Sequence, residues 1–422
     1  MSNIPTRELY DRYVIQTYGR FELNLARGSG CEVWDESGKR YLDFGAGIAV
    51  TSVGHCHPRV IAKMQEQIGT LVHVSNLYFT RPQGELAERL VRLTGPGKAF
   101  FCNSGAEANE ALYKLARKFG NETAGGPRIG IVTMRGSFHG RTLGGISATG
   151  QDKVKKGFEP IVQGFAVAPS EDGYVAFNDC DGLRAAVAQP GVVAVMFEPV
   201  QGESGIHPAT PEFLRLARQL CDERGLLLFF DEVQCGLGRT GDWCGWKTIA
   251  PDVMPDAVSW AKGIAGGFPL GAIWASEREV TLKDGTKKKL CDLLGPGSHG
   301  TTFGGTPLVC AGANEVLAVV EEEGMLENAR TVGAYALEVL RKIASPKIKE
   351  VRGIGLMLGI ELAPDFSTGC DRAPSLWMVD RLHEAGLLVI PSGTHALRWL
   401  PPLNVTRAQI DEAAAILAKT LA

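Results

Sequence analysis

The chain has 422 residues, a formal net charge of −3, 45% hydrophobic and 22% charged residues. Its length exceeds a typical single domain, and its composition is that of a globular protein with a sizeable core. The balanced charge gives no general attraction to nucleic acid or to an anionic membrane surface, and no apolar run approaches the roughly 18 residues needed to span a bilayer. The first twenty residues mix acids and bases without an apolar signal core, so a soluble, cytoplasmic protein is expected. The ten cysteines are scattered without a Cys-x-x-Cys pair. They read as reduced small hydrophobes rather than a disulfide framework.

Residues 1–30 read as a polar and aromatic N-terminal arm. Residues 31–45, CEVWDESGKRYLDFG, predict a hairpin that turns at Glu36-Ser37-Gly38. His55, Cys56 and His57 lie together in GHCHP, but adjacent residues of extended chain point opposite ways. A turn before a helix that begins near Pro58 is expected there, not a metal site. From Gly84 onward, helical and extended patterns alternate. Ala99–Cys102 is strand-like and runs into Asn103-Ser104-Gly105-Ala106. Leu112, Leu115, Ala116 and Phe119 then repeat at helical spacing. Ile129–Met134 leads to Ser137–Thr142 (SFHGRT), and Val192–Phe197 ends at Glu198. Thr210 and Pro211 suit the start of the next helix and Gly225 its end. Leu226–Phe230 and Ala257–Trp260 complete a set of short apolar runs, each handing over to a polar motif. Such units favour a mostly parallel sheet covered by helices, with ligands at the carboxyl ends of its strands.

Beyond Gly271 the character changes. Glu279–Pro296 is polar and lysine-rich, which predicts an exposed loop or insertion. Residues 298–305 form a second glycine-rich loop. A helical region covers roughly Pro307–Ala344 with a break at Gly324. Val351–Leu362, Leu387–Ile390 and Ala396–Leu400 read as strands, Ser375–Ala385 as a helix, and Thr406 with Gln409 as a capping box for the last helix. This mixed order suggests a smaller α+β domain.

Two charged positions stand out within Leu226–Gly271. Asp231, followed by Glu232, ends one apolar run, and Lys262 follows another and precedes glycines. A charge just past a buried strand is costly unless it has a partner or a task. A carboxylate and an amine at the strand ends of an α/β sheet are what a pyridoxal phosphate enzyme needs. The lysine condenses with the cofactor aldehyde, and the carboxylate keeps the proton on the pyridine nitrogen. Ser104-Gly105-Ala106, opening a helix directly after a strand, supplies free N–H groups for a phosphate.

The motifs NSGAEANEAL (103–112), SFHGRT (137–142), EPVQGESG (198–205), DEVQCGLGRTG (231–241), KGIAGGFPLGA (262–272) and HGTTFGG (299–305) occur in one order. Together they make the chain, from about residue 20 to its end, resemble the class III, ornithine-type, pyridoxal phosphate aminotransferases. The resemblance implies a fold-type I transferase, α/β, with a mostly parallel seven-stranded sheet. It implies an arm and part of the small domain at 1–70, a large cofactor-binding domain at 71–315 and a C-terminal small domain at 316–422. It assigns Lys262 to the cofactor aldehyde and to proton transfer, Asp231 to the pyridine nitrogen and Gln234 to the ring hydroxyl. Phe138 would stack on the ring, and Ser104, Gly105 and Ala106 would hold the phosphate. Thr302 would reach that phosphate from the partner subunit, which implies a homodimer with shared sites. Arg141 would bind the α-carboxylate of the amino donor and Arg398 that of 2-oxoglutarate, with Glu203 pairing Arg398 while the donor is bound. The activity implied is transfer of the δ-amino group of N2-acetylornithine to 2-oxoglutarate, with ornithine, succinylornithine and 4-aminobutyrate as alternative donors; the intact Lys262, Asp231 and Arg141 argue against a non-catalytic binding protein of the same fold. Ser204, Thr306 and a longer 279–296 segment depart from the family pattern; none removes a catalytic group.

Overall fold

The computed structural model describes residues 4–422. Helix α1 (Thr6–Tyr13) has no buried residue. Strands β2 (Glu32–Asp35) and β3 (Arg40–Asp43) form the expected hairpin, and β1 (Leu25–Ser29), in the stretch read as an arm, adds antiparallel to β2. Its turn puts Gly38 at φ 86°, a conformation that favours glycine. A kinked turn, α2 (Ala46–Ala49), leads to the GHCHP segment, where His55 Nε2 lies 2.7 Å from Asp43 Oδ2. Helix α3 (Pro58–Ile68) then starts at the proline, and α4 (Arg81–Thr94) follows.

The alternating region is β4 (Gly97–Cys102), α5 (Gly105–Glu122), β5 (Gly130–Val132), α6 (Leu143–Ala148), α7 (Cys180–Val187) and β6 (Val192–Phe197). It continues with a two-residue pair, β7 (Val200–Gln201) and β8 (His207–Pro208), then α8 (Pro211–Arg224), β9 (Leu227–Asp231), α9 (Gly245–Ile249), β10 (Ala257–Trp260) and β11 (Gly271–Ser276). The central sheet has the order β4-β11-β10-β9-β6-β5. Only β11 runs against the others, since it pairs antiparallel with both β4 and β10. Every residue of β6, β9 and β10 is buried, which is why these runs are apolar apart from Asp231 and Ser259 and do not alternate.

The sheet has six strands, not seven. The seventh place holds a single parallel bridge between Met134 and Val175. The Ser170–Tyr174 segment is a turn, and Asp179 caps α7, so too little extended chain lies between them for a ladder. The ends of α8 follow from its sequence. Thr210 Oγ1 accepts from Phe213 N at 3.2 Å, Pro211 opens the helix and Gly225 closes it at φ 62°.

The 279–296 segment is not an open loop. Strands β12 (Glu279–Thr281) and β13 (Lys287–Lys289) pair as a hairpin, with Val280 buried and Lys287 and Lys289 bound to Glu279 and Glu277. Helices α10 (Pro307–Glu322) and α11 (Met325–Arg341) are separated at Gly324, φ 67°. The stretch expected as one strand over 351–362 is a hairpin, β14 (Ile348–Ile354) and β15 (Met357–Leu362). It reverses at Gly355, φ 56°, where a Cβ would come within 2.6 Å of the Arg239 carbonyl oxygen. Helix α12 (Pro374–Glu384) precedes β16 (Leu387–Leu388), β17 (Ile390–Ser392), β18 (Ala396–Trp399) and α13 (Arg407–Leu421). The chain beyond α12 divides between two sheets, because β16 adds in parallel to β3 while β17 joins β14-β15-β18-β17. The capping box at Thr406 and Gln409 is complete.

Helix α10 belongs to two cores. Cys310, Ala313 and Leu317 pack against the central sheet, and Val316, Val319 and Val320 pack with the small sheet and α11. Thr210→Ala removes the cap of a helix that covers the central sheet. It should lower stability by about 1 kcal/mol, read as an earlier midpoint in urea, with Thr210→Ser close to wild type.

Candidate active site

The parallel register of the central sheet collects the polar motifs on one edge. Asp231 is the last residue of β9 and lies opposite Ser259 of β10. Lys262 follows β10 directly after Ala261, while Glu198 follows β6 and Ser104–Ala106 follow β4. A cavity of about 450 Å³ opens there. Ser104, Gly105, Ala106, Phe138, Arg141, Glu203, Asp231, Gln234 and Lys262 all line it. Two of the residues named from the sequence do not.

Arg398 stands behind Glu203, with its NH1 2.6 Å from Oε1 and its NH2 3.2 Å from Oε2. This two-pronged pair masks a guanidinium that is only 2% exposed. Thr302 lies outside the cavity on an exposed segment. Asn76 Nδ2 donates to the carbonyl of Gly304 at 2.9 Å, and the ring of Phe303 lies 5.4 Å from that of His73.

Asp231 is fully engaged below the cavity. Its Oδ1 accepts from Val233 N at 3.0 Å. Its Oδ2 accepts from Asn109 Nδ2 at 2.7 Å and lies 2.8 Å from His139 Nδ1. Asn109 is itself held, because Ser259 Oγ donates to its Oδ1 at 2.7 Å. His139, Asn109 and Ser259 are buried. Sequence reading passed over all three. The available signal was a polar residue, Asn109, between Ala108 and Leu112 on the apolar face of α5. Glu232, next in the chain, turns the other way. It accepts from Gly245 N at 2.8 Å and Trp246 N at 2.9 Å, at the start of α9, and burial pushes its carboxyl up to about 8. Only one member of the acidic pair serves the cavity.

Lys262 has φ 48°, rare for a residue with a side chain. Such backbone strain is found where surrounding structure overrides it, commonly at functional sites. Burial lowers the pKa of its amine below the ordinary 10.5; Arg398 adds to that, while Glu203 and Asp231 oppose it. Glu198, also in the cavity wall, accepts from Phe138 N at 3.2 Å, and burial beside Asp231 pushes its carboxyl well above the usual range. In Glu203 burial works upward, but Arg398 prevails and lowers the carboxyl below its ordinary value.

The remaining walls provide recognition groups. Ser104 caps α5 by accepting from Glu107 N at 3.2 Å, which leaves its O–H free to donate. A Cβ on Gly105 would come within 2.7 Å of Val233 Cγ1, so only glycine lets this helix start so close beside the loop after β9. The helix N-terminus thus presents N–H groups suited to an anion. Gln234 Oε1 is buried without a hydrogen-bond partner. Arg141 lines the cavity with its guanidinium 5.5 Å from the Phe138 ring centroid and has no ion pair among the described residues. Amine, carboxylate, aromatic ring and anion-binding helix end fit pyridoxal phosphate.

Comparison with known proteins agrees with this geometry. The aminotransferase class-III family matches residues 13–421, and the chain belongs to that family of pyridoxal phosphate-dependent enzymes. The acetylornithine aminotransferase of Thermosynechococcus vestitus is 44% identical over 98% of this chain and 96% of its own length. Among solved structures, ornithine aminotransferase from Toxoplasma gondii superposes with a TM-score of 0.87 at 31% identity, covering 98% of this chain and 92% of that one. N-acetylornithine aminotransferase from Stenotrophomonas maltophilia gives 0.78 at 34% identity, covering 98% and 97%.

The electrostatics of Lys262 are open to measurement. An amine condenses with an aldehyde in its neutral form, so capture of pyridoxal phosphate by apoenzyme, followed by absorbance, should have a pH midpoint below 10.5. Glu203→Gln removes a negative charge that favours the ammonium and should move that midpoint lower still. A midpoint at the ordinary value in both proteins would contradict the buried environment.

Proposed function

We propose that the enzyme transfers the δ-amino group of N2-acetylornithine to 2-oxoglutarate, giving N-acetylglutamate 5-semialdehyde and glutamate. The observation that carries this reading is a Lys262 cavity served by two unequal arginines, Arg141 unpaired and Arg398 masked by Glu203. A donor that presents a distal amine needs only one carboxylate site, and Arg141 supplies it. A dicarboxylate acceptor needs a second, which Arg398 supplies once Glu203 turns away. The 44% identity to an acetylornithine aminotransferase supports the same donor.

Ser104, Gly105 and Ala106 hold the cofactor phosphate, Phe138 covers the ring, Gln234 bonds its hydroxyl and Asp231 keeps the ring nitrogen protonated. The bound cofactor draws electrons from the substrate carbon that carries the amine. Lys262 Nζ takes the proton from that carbon and returns it at the other end of the transfer. Its lowered pKa suits a base. Asn109, His139 and Ser259 keep Asp231 in place, and the buried walls limit water.

The reading includes a homodimer. Thr302 lies on a surface with exposed Phe303, Leu77, Tyr78 and Phe79. An apolar patch of that kind suits a second copy, whose cofactor phosphate Thr302 would then reach. It also includes a division into 1–70, 71–315 and 316–422, and a reducing, cytoplasmic setting, which suits ten unpaired cysteines.

Comparing kcat/KM for acetylornithine, succinylornithine, ornithine and 4-aminobutyrate tests the donor directly. Acetylornithine should lead, and a lead for ornithine would transfer the assignment. Lys262→Ala should abolish turnover while the protein still binds some pyridoxal phosphate. Arg398→Ala should slow the 2-oxoglutarate half-reaction by roughly 100-fold or more and the donor half much less. Equal losses in stopped-flow would refute the division between the two arginines.

A further inference from the structure

Glu203 sits in the turn of the β7–β8 hairpin, where Val200 pairs with Pro208 and Gln201 with His207. Its carboxylate is held only by side chains, Arg398 and, at 3.4 Å, Gln234 Nε2. The backbone of the same turn is held quite differently. Ser392 Oγ, on β17, donates to the Glu203 carbonyl at 2.8 Å and reaches that of Gly202 at 3.4 Å. Arg352 Nε, on β14, donates to the carbonyls of Gly205 at 3.0 Å and Ile206 at 3.1 Å. His207 Nε2 lies 3.1 Å from the Ser204 carbonyl.

Every carbonyl of the turn therefore has a partner, and most of those partners come from the small sheet. The anchors are themselves fixed. Ser392 is buried at 3% exposure, and the Arg352 guanidinium is gripped by Glu350 and Glu361. The turn leaves no room for slippage. A Cβ on Gly359 of β15 would lie 2.5 Å from the Gly205 carbonyl oxygen, and one on Gly202 would lie 2.0 Å from Gln234 Oε1.

We propose that Ser392 and Arg352 are positioning residues that pin this turn, so that Arg398 is unmasked by rotation of the Glu203 side chain alone, and that they thereby set how strongly the resting site refuses a second carboxylate. The role of Arg398 as acceptor site rests on the reading above. A fixed backbone returns the Glu203 carboxylate to the same two-pronged geometry after each turnover. Loosening the turn weakens that geometry and leaves Arg398 more available to any dicarboxylate.

Glutarate, a dicarboxylate without a reactive carbonyl, is the probe. Its dissociation constant on the holoenzyme, measured by calorimetry, should fall roughly five- to tenfold in Ser392→Ala and in Arg352→Lys, approaching the value in Glu203→Gln. Arg352→Lys retains the charge but loses the Nε donor to the two carbonyls. In single-turnover measurements, both variants should gain with glutamate as donor relative to acetylornithine. A merely structural defect would lower both rates together and reduce the melting temperature. Unchanged or weaker glutarate binding in either variant overturns the role of that residue. Should the wild type fail to use acetylornithine while glutarate binding shifts as expected, the donor assignment falls and the pin stands.

Discussion

The active site depends on the parallel pairing of β9 and β10. That register sets Asp231 against Ser259 and places Lys262 just beyond the same edge. Each strand is buried along its whole length, so Asp231 at the end of β9 and Lys262 just past β10 emerge where the sheet stops. A shift of one residue would turn Asp231 from the cavity side to the side now taken by Glu232, since successive side chains point to opposite faces. The two neighbouring carboxylates thus receive opposite tasks, one at the cavity floor and one at the start of α9.

Burying so much charge is tolerable because almost every group has a partner. Asp231 has three donors around it, and Arg398 has Glu203. Arg141 needs none. It is exposed at the cavity mouth and without an ion pair among the described residues, so solvent covers the cost until a carboxylate arrives. The cavity therefore meets one solvated arginine at its mouth and one masked arginine behind Glu203.

The second core has a direct part in this. Glu203 belongs to a hairpin following β6, yet Arg398, Ser392 and Arg352, which hold its carboxylate and the backbone of its turn, come from the small sheet. Helix α10 buries one face in each core, and Gly355 packs against the Arg239 carbonyl. Arg239, buried without a carboxylate partner among the described residues, donates to Leu356 O at 3.2 Å and to Pro401 O. The surroundings of Glu203 are therefore built across the contact between the two cores.

Local chemistry made many elements legible from the sequence. β6 and β10 have their expected ends because each is a predominantly apolar run, and α8 begins and ends on Thr210-Pro211 and Gly225, whose backbone preferences are intrinsic. Nine of the residues singled out with the motifs line the cavity, while Arg398 and Thr302 do not. The sequence did not reveal that 351–362 folds back on itself, because Gly355 occupies a left-handed turn against a distant carbonyl. It did not reveal the Asn109–His139–Ser259 support of Asp231, the strained φ of Lys262, or the anchors of the Glu203 turn. Those residues act through partners remote in the chain, and a polar side chain carries no mark of its distant partner until packing brings the two together. Residue type and spacing determined the chemistry this protein can perform; the pairing of strands and the contact between cores decided which groups perform it.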